Sequence, residues 1–322
     1  MFLFDLSFYL DSVLIFVLAI AIDLVFGEIP DRAHPTVWMG YVIAFLKSKL
    51  KSDNPRVAKV NGVFLCVGSV AVFAVPVFLV LWLLRQIPVV GLLLYIVAGA
   101  VMLKTTFALK CMRYYTLPIE RALKNGNLAE ARRWMRFIVR RDPATLDEQH
   151  LISAAVESIA ESTTDGVTSP FFFFAVFGVP GAFAFRVINT LDSMVGYRDP
   201  VNLNIGWFSA KMDTITNYVP ARITAVLMVA ASALPHADWH NSWRILKRDR
   251  NKTASPNAGW TISAMAGALN TQLEKKGHYA LGDAKRFSAG DITLAWKIMQ
   301  STTALFGLIV VLPILGLVAS LL

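Results

Sequence analysis

The chain has 322 residues, 56% of them hydrophobic and 16% charged, and its 31 Lys and Arg exceed 22 Asp and Glu for a formal net charge of +9. A mean hydropathy of +0.54 excludes one or two soluble domains with ordinary surfaces. The basic excess does not indicate nucleic acid, because Lys and Arg alternate with apolar runs long enough to cross a bilayer, and 2 Cys provide neither a disulfide framework nor a thiolate metal site.

A spanning helix needs roughly 17 to 25 apolar residues. In chain order, Phe8–Phe26, Gly62–Leu84, Ile87–Leu103 and Thr302–Leu322 meet that requirement. The first run carries Asp11 and Asp23, has no basic leader and no small-residue cleavage site, and reads as a retained anchor. Two runs are weaker. Val167–Arg186 contains Pro170 and is interrupted at Gly178-Val179-Pro180-Gly181, which reads as a tight turn, while Tyr218–Leu234 is short and opens with Pro220 and Arg222. With no linker or repeat to divide it, residues 1–322 are expected to form a single all-α domain, a polytopic membrane helical bundle with broken or re-entrant helices and cytoplasmic helical loops.

Basic residues sort the loops. Lys47, Lys49, Lys51, Arg56 and Lys59 form one group, Lys104 through Arg140 and Arg141 bound a second, and Arg244, Lys247, Arg248, Arg250 and Lys252 form a third. The positive-inside rule places all three in the cytoplasm of a multi-pass cell-membrane protein. If all six stretches cross, Asn189–Asn217 falls outside. If the two weak stretches fold back as re-entrant hairpins or half-helices, every polar segment shares the cytoplasmic face, and this arrangement is favoured because it unites the polar motifs.

In ESIAESTTDGVTSP, Glu157, Glu161 and Asp165 recur at i, i+4 and i+8, so a helix would present three carboxylates on one face. Mg²⁺, with its preference for hard oxygen ligands, would compensate them; the alternative is a solvated acidic face with Arg140 or Arg141 as counter-charge. In FRVINTLDSMVGYRDP, Arg186, Asn189, Thr190, Asp192, Ser193, Tyr197, Arg198 and Asp199 crowd beside an apolar run. An ionisable group at membrane depth costs about 2.5 to 3.5 kcal/mol, so such groups mark a site or pair with each other. Asn189 and Asp192 offer oxygens to one ion; Arg198–Asp199 or Arg186–Asp192 would instead be a self-neutralising pair. Further polar residues follow at Trp207, Lys211, Asp213, Asn217 and Arg222. The turns at His34-Pro35 through Trp38 and Gly40, and at Ser255-Pro256-Asn257-Ala258-Gly259-Trp260, either expose amides to an anion or planar ligand or are interfacial turns with a Trp anchor. Phosphate-loop, dinucleotide-binding, nucleophile-elbow and HExxH motifs are absent.

The strings DLVFGEIPDRAHPTVWMG, ESIAESTTDGV, NTLDSMVGYRD, GWFSAKMDTITNYVPARIT and SPNAGWTISAMAGAL resemble, in family order, the cobalamin biosynthesis family CbiB/CobD, the adenosylcobinamide-phosphate synthases. The resemblance implies an ATP-dependent amide-forming ligase that joins aminopropanol or its phosphate to the corrinoid adenosylcobyric acid. Such chemistry requires metal-holding oxygens, for which Glu157, Glu161, Asp165 and Asp192 are the candidates, with Mg²⁺ and ATP supplied as co-substrate. Arg198, Lys211 and Arg222 are candidates for phosphate or the substrate carboxylate, Trp38, Trp207 and Trp260 for the corrinoid, and His34 and Asn257 for further substrate contacts. Asn189, Asp192 and Asp213 are the catalytic candidates, Asp213 as acceptor of the amine proton. The chain departs from the family pattern at Ser162 and at Thr261-Ile262-Ser263. Two rival readings fit part of this map: a carrier of a corrinoid or other solute, with buried charges on broken helices, and a prenyl diphosphate transferase, whose second aspartate cluster NTLDS lacks.

Overall fold

Short polar side chains set the helix starts. In the computed structural model, which describes residues 5–139, 141–283 and 287–322, Asp5, His34, Asn54, Asn127, Asp147 and Asp238 each accept a hydrogen bond from a backbone N–H of the first turn that follows. Each bond satisfies a donor the helix leaves open. The helices are α1 (Leu6–Phe26), α2 (Pro35–Leu50), α3 (Pro55–Arg85), α4 (Gly91–Lys104), α5 (Leu109–Lys124), α6 (Leu128–Met135), α7 (Glu148–Ser162), α8 (Ser169–Val195), α9 (Trp207–Thr216), α10 (Tyr218–Ser232), α11 (Trp239–Asp249), α12 (Ala258–Ala268), α13 (Gly290–Phe306) and α14 (Leu312–Leu321). Among the described residues, five helical stretches are long and apolar enough to cross a membrane: Leu6–Phe26, Pro55–Arg85, Gly91–Lys124, Glu148–Val195 and Gly290–Leu321. The chain is an all-α polytopic membrane protein.

The chain divides into two compact units. The first comprises Met1–Ala108, Ser169–Thr216 and Val310–Leu322. Here α1 packs on α4 and α14, and α3 on α2, α8 and α9. Phe171 meets Phe16 and Phe107 edge to face at 4.8 and 4.9 Å, while Phe64, Phe78, Trp82 and Leu93 point outward and exposed, as lipid-facing residues do. Helix α4 begins at Gly91 rather than Ile87, because Pro88 is followed by Val89 at φ 64°. The Gly-Val-Pro-Gly string does not end a helix. Gly178 alone leaves helical geometry, at φ 66°, and α8 resumes beyond it as a kink, since only glycine enters that region without a Cβ penalty and Pro180 removes a donor just after it.

The second unit comprises Leu109–Thr168 and Asn217–Ile309. Helix α12 packs on α10 and α11, and α13 on α5, α7 and α10. At 15 residues, α10 falls short of the roughly 20 that a full crossing needs. A π-helical turn, Thr163–Thr168, follows α7 and is held by Thr168 Oγ1, which bonds the Thr163 carbonyl at 3.0 Å and the Thr224 hydroxyl at 2.6 Å. The unit also contains an antiparallel hairpin, β1 (Gln272–Lys275) with β2 (Tyr279–Gly282), which places buried Leu273 opposite buried Leu281. Buried Asp249 fastens it to the C-terminus of α11: its carboxylate accepts from the Gly282 N–H at 2.8 Å and pairs with Arg248 at 2.7 Å and Lys252 at 2.6 Å.

Candidate functional site

In the first unit the end of α1 and the end of α4 meet through charge. Lys104 is fully buried, and its Nζ lies 3.0 Å from Asp23 Oδ1 and 3.0 Å from Glu28 Oε2. Glu28 Oε2 is also 3.1 Å from His34 Nε2. Because His34 Nδ1 accepts the Thr36 N–H at 3.2 Å, its proton sits on Nε2 and is donated to Glu28. Burial pushes the Glu28 carboxyl up, but the His34 hydrogen bond and Lys104 outweigh it and hold the group below its ordinary range. His34 thus acts as cap of α2 and donor to Glu28, while Trp38 Nε1 donates to the Arg32 carbonyl at 3.1 Å.

Two residues past Lys104, the Thr106 carbonyl receives Arg186 of α8, with Nε at 2.6 Å. Arg186 Nη1 donates to Asn189 Oδ1 at 3.3 Å, one turn on, and Asn189 Nδ2 donates to Asp213 Oδ1 of α9 at 3.2 Å. Two of the sequence-predicted catalytic residues, Asn189 and Asp213, are therefore in contact. Asp192 lies on α8 against Gly196, where a β-carbon would stand 2.0 Å from its Oδ1. Asp199 does not pair with Arg198. Its carboxylate accepts from the N–H groups of Val201 and Asn202 and from the Asn202 amide at 2.7 Å, and Asn202 in turn accepts Lys47 at 2.7 Å, which fixes the loop before α9. Arg198 and Lys211 are exposed, and Trp207 donates to the Lys59 carbonyl at 3.0 Å.

In the second unit Glu157 is buried, and its two oxygens accept from the Tyr279 hydroxyl at 2.8 Å and the Ser153 hydroxyl at 2.9 Å, with Arg141 at 3.8 Å. Burial and the charges of Glu157 and Glu161 raise the Tyr279 phenol far above its ordinary range, which keeps it a hydrogen-bond donor at all working pH values. Glu161 is exposed at the end of α7, and Asp165 lies in the π-helical turn, whose wider winding interrupts the i, i+4, i+8 face. Elsewhere in this unit Arg222 stands over the Tyr218 ring at 3.3 Å and the Trp260 ring at 4.9 Å, and donates to Asn257 Oδ1 at 3.1 Å.

Among the described residues no three His, Cys, Asp or Glu side chains converge closely enough to hold a metal ion. Each oxygen of Glu157 is engaged by one hydroxyl donor, Ser153 on one and Tyr279 on the other. Mg²⁺ that arrives with ATP needs only one or two carboxylates beside the phosphates, and the hard oxygens of Glu161 and Asp165 fit that smaller demand. Arg141 supplies the counter-charge expected of that region, and Arg140 lies outside the described residues. Lys104, Glu28 and Tyr279 are site residues that the sequence reading passed over. The signals were a lysine closing an apolar run, an acid within Gly27-Glu28-Ile29-Pro30, and a tyrosine just past Lys275-Lys276-Gly277.

Residues 16–305 match the family described as CobD/Cbib protein. A probable cobalamin biosynthesis protein CobD of Methanothermobacter thermautotrophicus is 41% identical over 274 residues, 85% of this chain and 88% of its own. The cobalamin biosynthesis protein CobD of Dehalococcoides mccartyi shows the same 41% over 274 residues, again 85% of this chain and 88% of its own. A probable cobalamin biosynthesis protein CobD of Thermoplasma volcanium is 40% identical over 302 residues, 94% of this chain and 97% of its own. No solved structure matches the chain.

Proposed function

Because the chain belongs to the CobD/Cbib family, we propose that it serves cobalamin biosynthesis as a ligase of the cell membrane, using MgATP at the cytoplasmic face to join aminopropanol or its phosphate to the carboxylate of adenosylcobyric acid. The observation that carries the proposal is the hydrogen-bonded run from Arg186 through Asn189 to Asp213, which links two of the strings that bear the family resemblance. Asn189 occupies one oxygen of Asp213 and orients the carboxylate; Arg186, donating to Asn189, polarises that amide.

Amide formation in water is uphill, so the acid must first be activated. A carboxylate oxygen of the corrinoid attacks the γ-phosphorus of ATP, the bond to ADP breaks, and an acyl phosphate forms. The amine nitrogen then attacks the acyl carbon, phosphate departs, and the proton lost by nitrogen passes to Asp213. Mg²⁺, when bound with ATP, neutralises charge on the phosphate oxygens; Glu161 and Asp165 are the residues that would hold it, with Asp192 retained as a candidate. Arg198, Lys211 and Arg222 would bind phosphate or the substrate carboxylate by charge-assisted hydrogen bonds. Trp38 and Trp207 remain candidates for contact with the corrinoid.

The test is direct. Purified full-length protein in nanodiscs is given adenosylcobyric acid, MgATP and either (R)-1-aminopropan-2-ol or its O-phosphate, and the corrinoid is analysed by mass. An amide product with stoichiometric ADP supports the ligase. Uptake of corrinoid into sealed vesicles without any amide would replace it with the carrier reading.

A further inference from the structure

Arg222 and Arg250 both stand over one indole, at 4.9 and 5.1 Å from the ring centroid of Trp260. Each is attracted to the ring, but two guanidinium groups gathered at one side chain repel each other. Among the described residues neither is paired with a carboxylate. The contrast within the same stretch is sharp: Arg244 and Arg248 engage Asp283, and Arg248 and Lys252 engage Asp249. Arg250, between Arg248 and Lys252 in sequence, donates to the Lys247 carbonyl at 3.4 Å. Arg222 donates to neutral acceptors, Asn257 Oδ1 at 3.1 Å and the carbonyls of Tyr218 and Pro256, and its plane is fixed by the Tyr218 ring.

We infer that Arg222 and Arg250, both drawn to the ring of Trp260, form a clamp for a phosphate group. Two planar forks carry more N–H donors than their neutral partners occupy, and a phosphate provides both the missing negative charge and acceptors in matching geometry. Trp260 then holds the cations in register rather than stacking on the corrinoid. Asn257, buried and bonded to Arg222, is a positioning residue. The clamp rests on the ligase reading only for the identity of the phosphate carrier, which is either ATP or the phosphorylated amino alcohol.

The experiment measures equilibrium binding to the full chain in phosphatidylcholine nanodiscs with four probes: ATP, inorganic tripolyphosphate, aminopropanol O-phosphate and unphosphorylated aminopropanol. Replacing Arg250→Gln or Arg222→Gln should weaken whichever phosphate probe binds by about tenfold or more, with Arg250→Lys retaining part of the affinity and aminopropanol unaffected. Circular dichroism and thermal unfolding of each variant separate loss of binding from loss of fold. Tripolyphosphate competing with ATP names the nucleotide as carrier, and loss confined to aminopropanol phosphate names the amine. Affinity of Arg250→Gln within about twofold of wild type for every phosphate probe overturns the clamp, even if the protein ligates. Weakened phosphate binding in a chain that forms no amide keeps the clamp and removes the ligase.

Discussion

The side-chain amide of Asn189 donates to the carboxylate of Asp213 across two helices at 3.2 Å, and Arg186 donates to the other end of the same amide. An acid held in this way is oriented with one oxygen occupied. Asp213→Asn should lower kcat for ligation by about 10²- to 10⁴-fold, the range for loss of a positioned proton acceptor, while affinity for the corrinoid stays near wild type. Steady-state kinetics with saturating ATP checks the split.

Gly196 faces the Asp192 carboxylate so closely that a β-carbon would stand 2.0 Å from Oδ1. Gly196→Ala must therefore displace Asp192, and displacement of a reacting group by about 1 Å costs on the order of 10²-fold in rate. Activity should fall by that order with membrane content unchanged, and Asp192→Asn should abolish ligation outright.

Glu28 contributes to the pH dependence of stability. Its folded pKa lies below the ordinary 4.5, so the stability it contributes is present above that value and is lost as pH falls through the folded value. Thermal unfolding followed from neutral pH downward should show the wild type losing stability in this acid window, and Glu28→Gln should lose less there.

Part of this arrangement is legible in the sequence because it is local. The interruption at Gly178 and the apolar runs depend on residues within a turn or two of each other. What sequence does not reveal is pairing at long range. Asp23 is visible as an acid inside an apolar run, but its counter-charge comes from the end of α4. Glu157 reads as one of three spaced acids, yet its oxygens belong to Ser153 and to Tyr279 on a hairpin whose polar, glycine-containing turn carries no strong strand pattern. Arg250 is lost in a basic loop until Trp260 singles it out.

Tyr279→Phe tests that long-range contact. It deprives buried Glu157 of one donor and should destabilise the second unit by about 1 to 3 kcal/mol, seen as earlier hydrogen exchange in β1, β2 and α7.

Lys104 gives a stability test as well. Lys104→Met leaves Asp23 and Glu28 without their cation and should cost about 3 to 5 kcal/mol, whereas adding Asp23→Asn and Glu28→Gln to it should recover much of the loss. Unfolding midpoints of the single and triple variants in detergent decide it.

The same lysine makes one helix depend on another. Asp23 lies buried within the apolar α1, and the ammonium group that offsets its charge is supplied by the last residue of α4, so the first helix is electrostatically incomplete until the fourth is in place beside it.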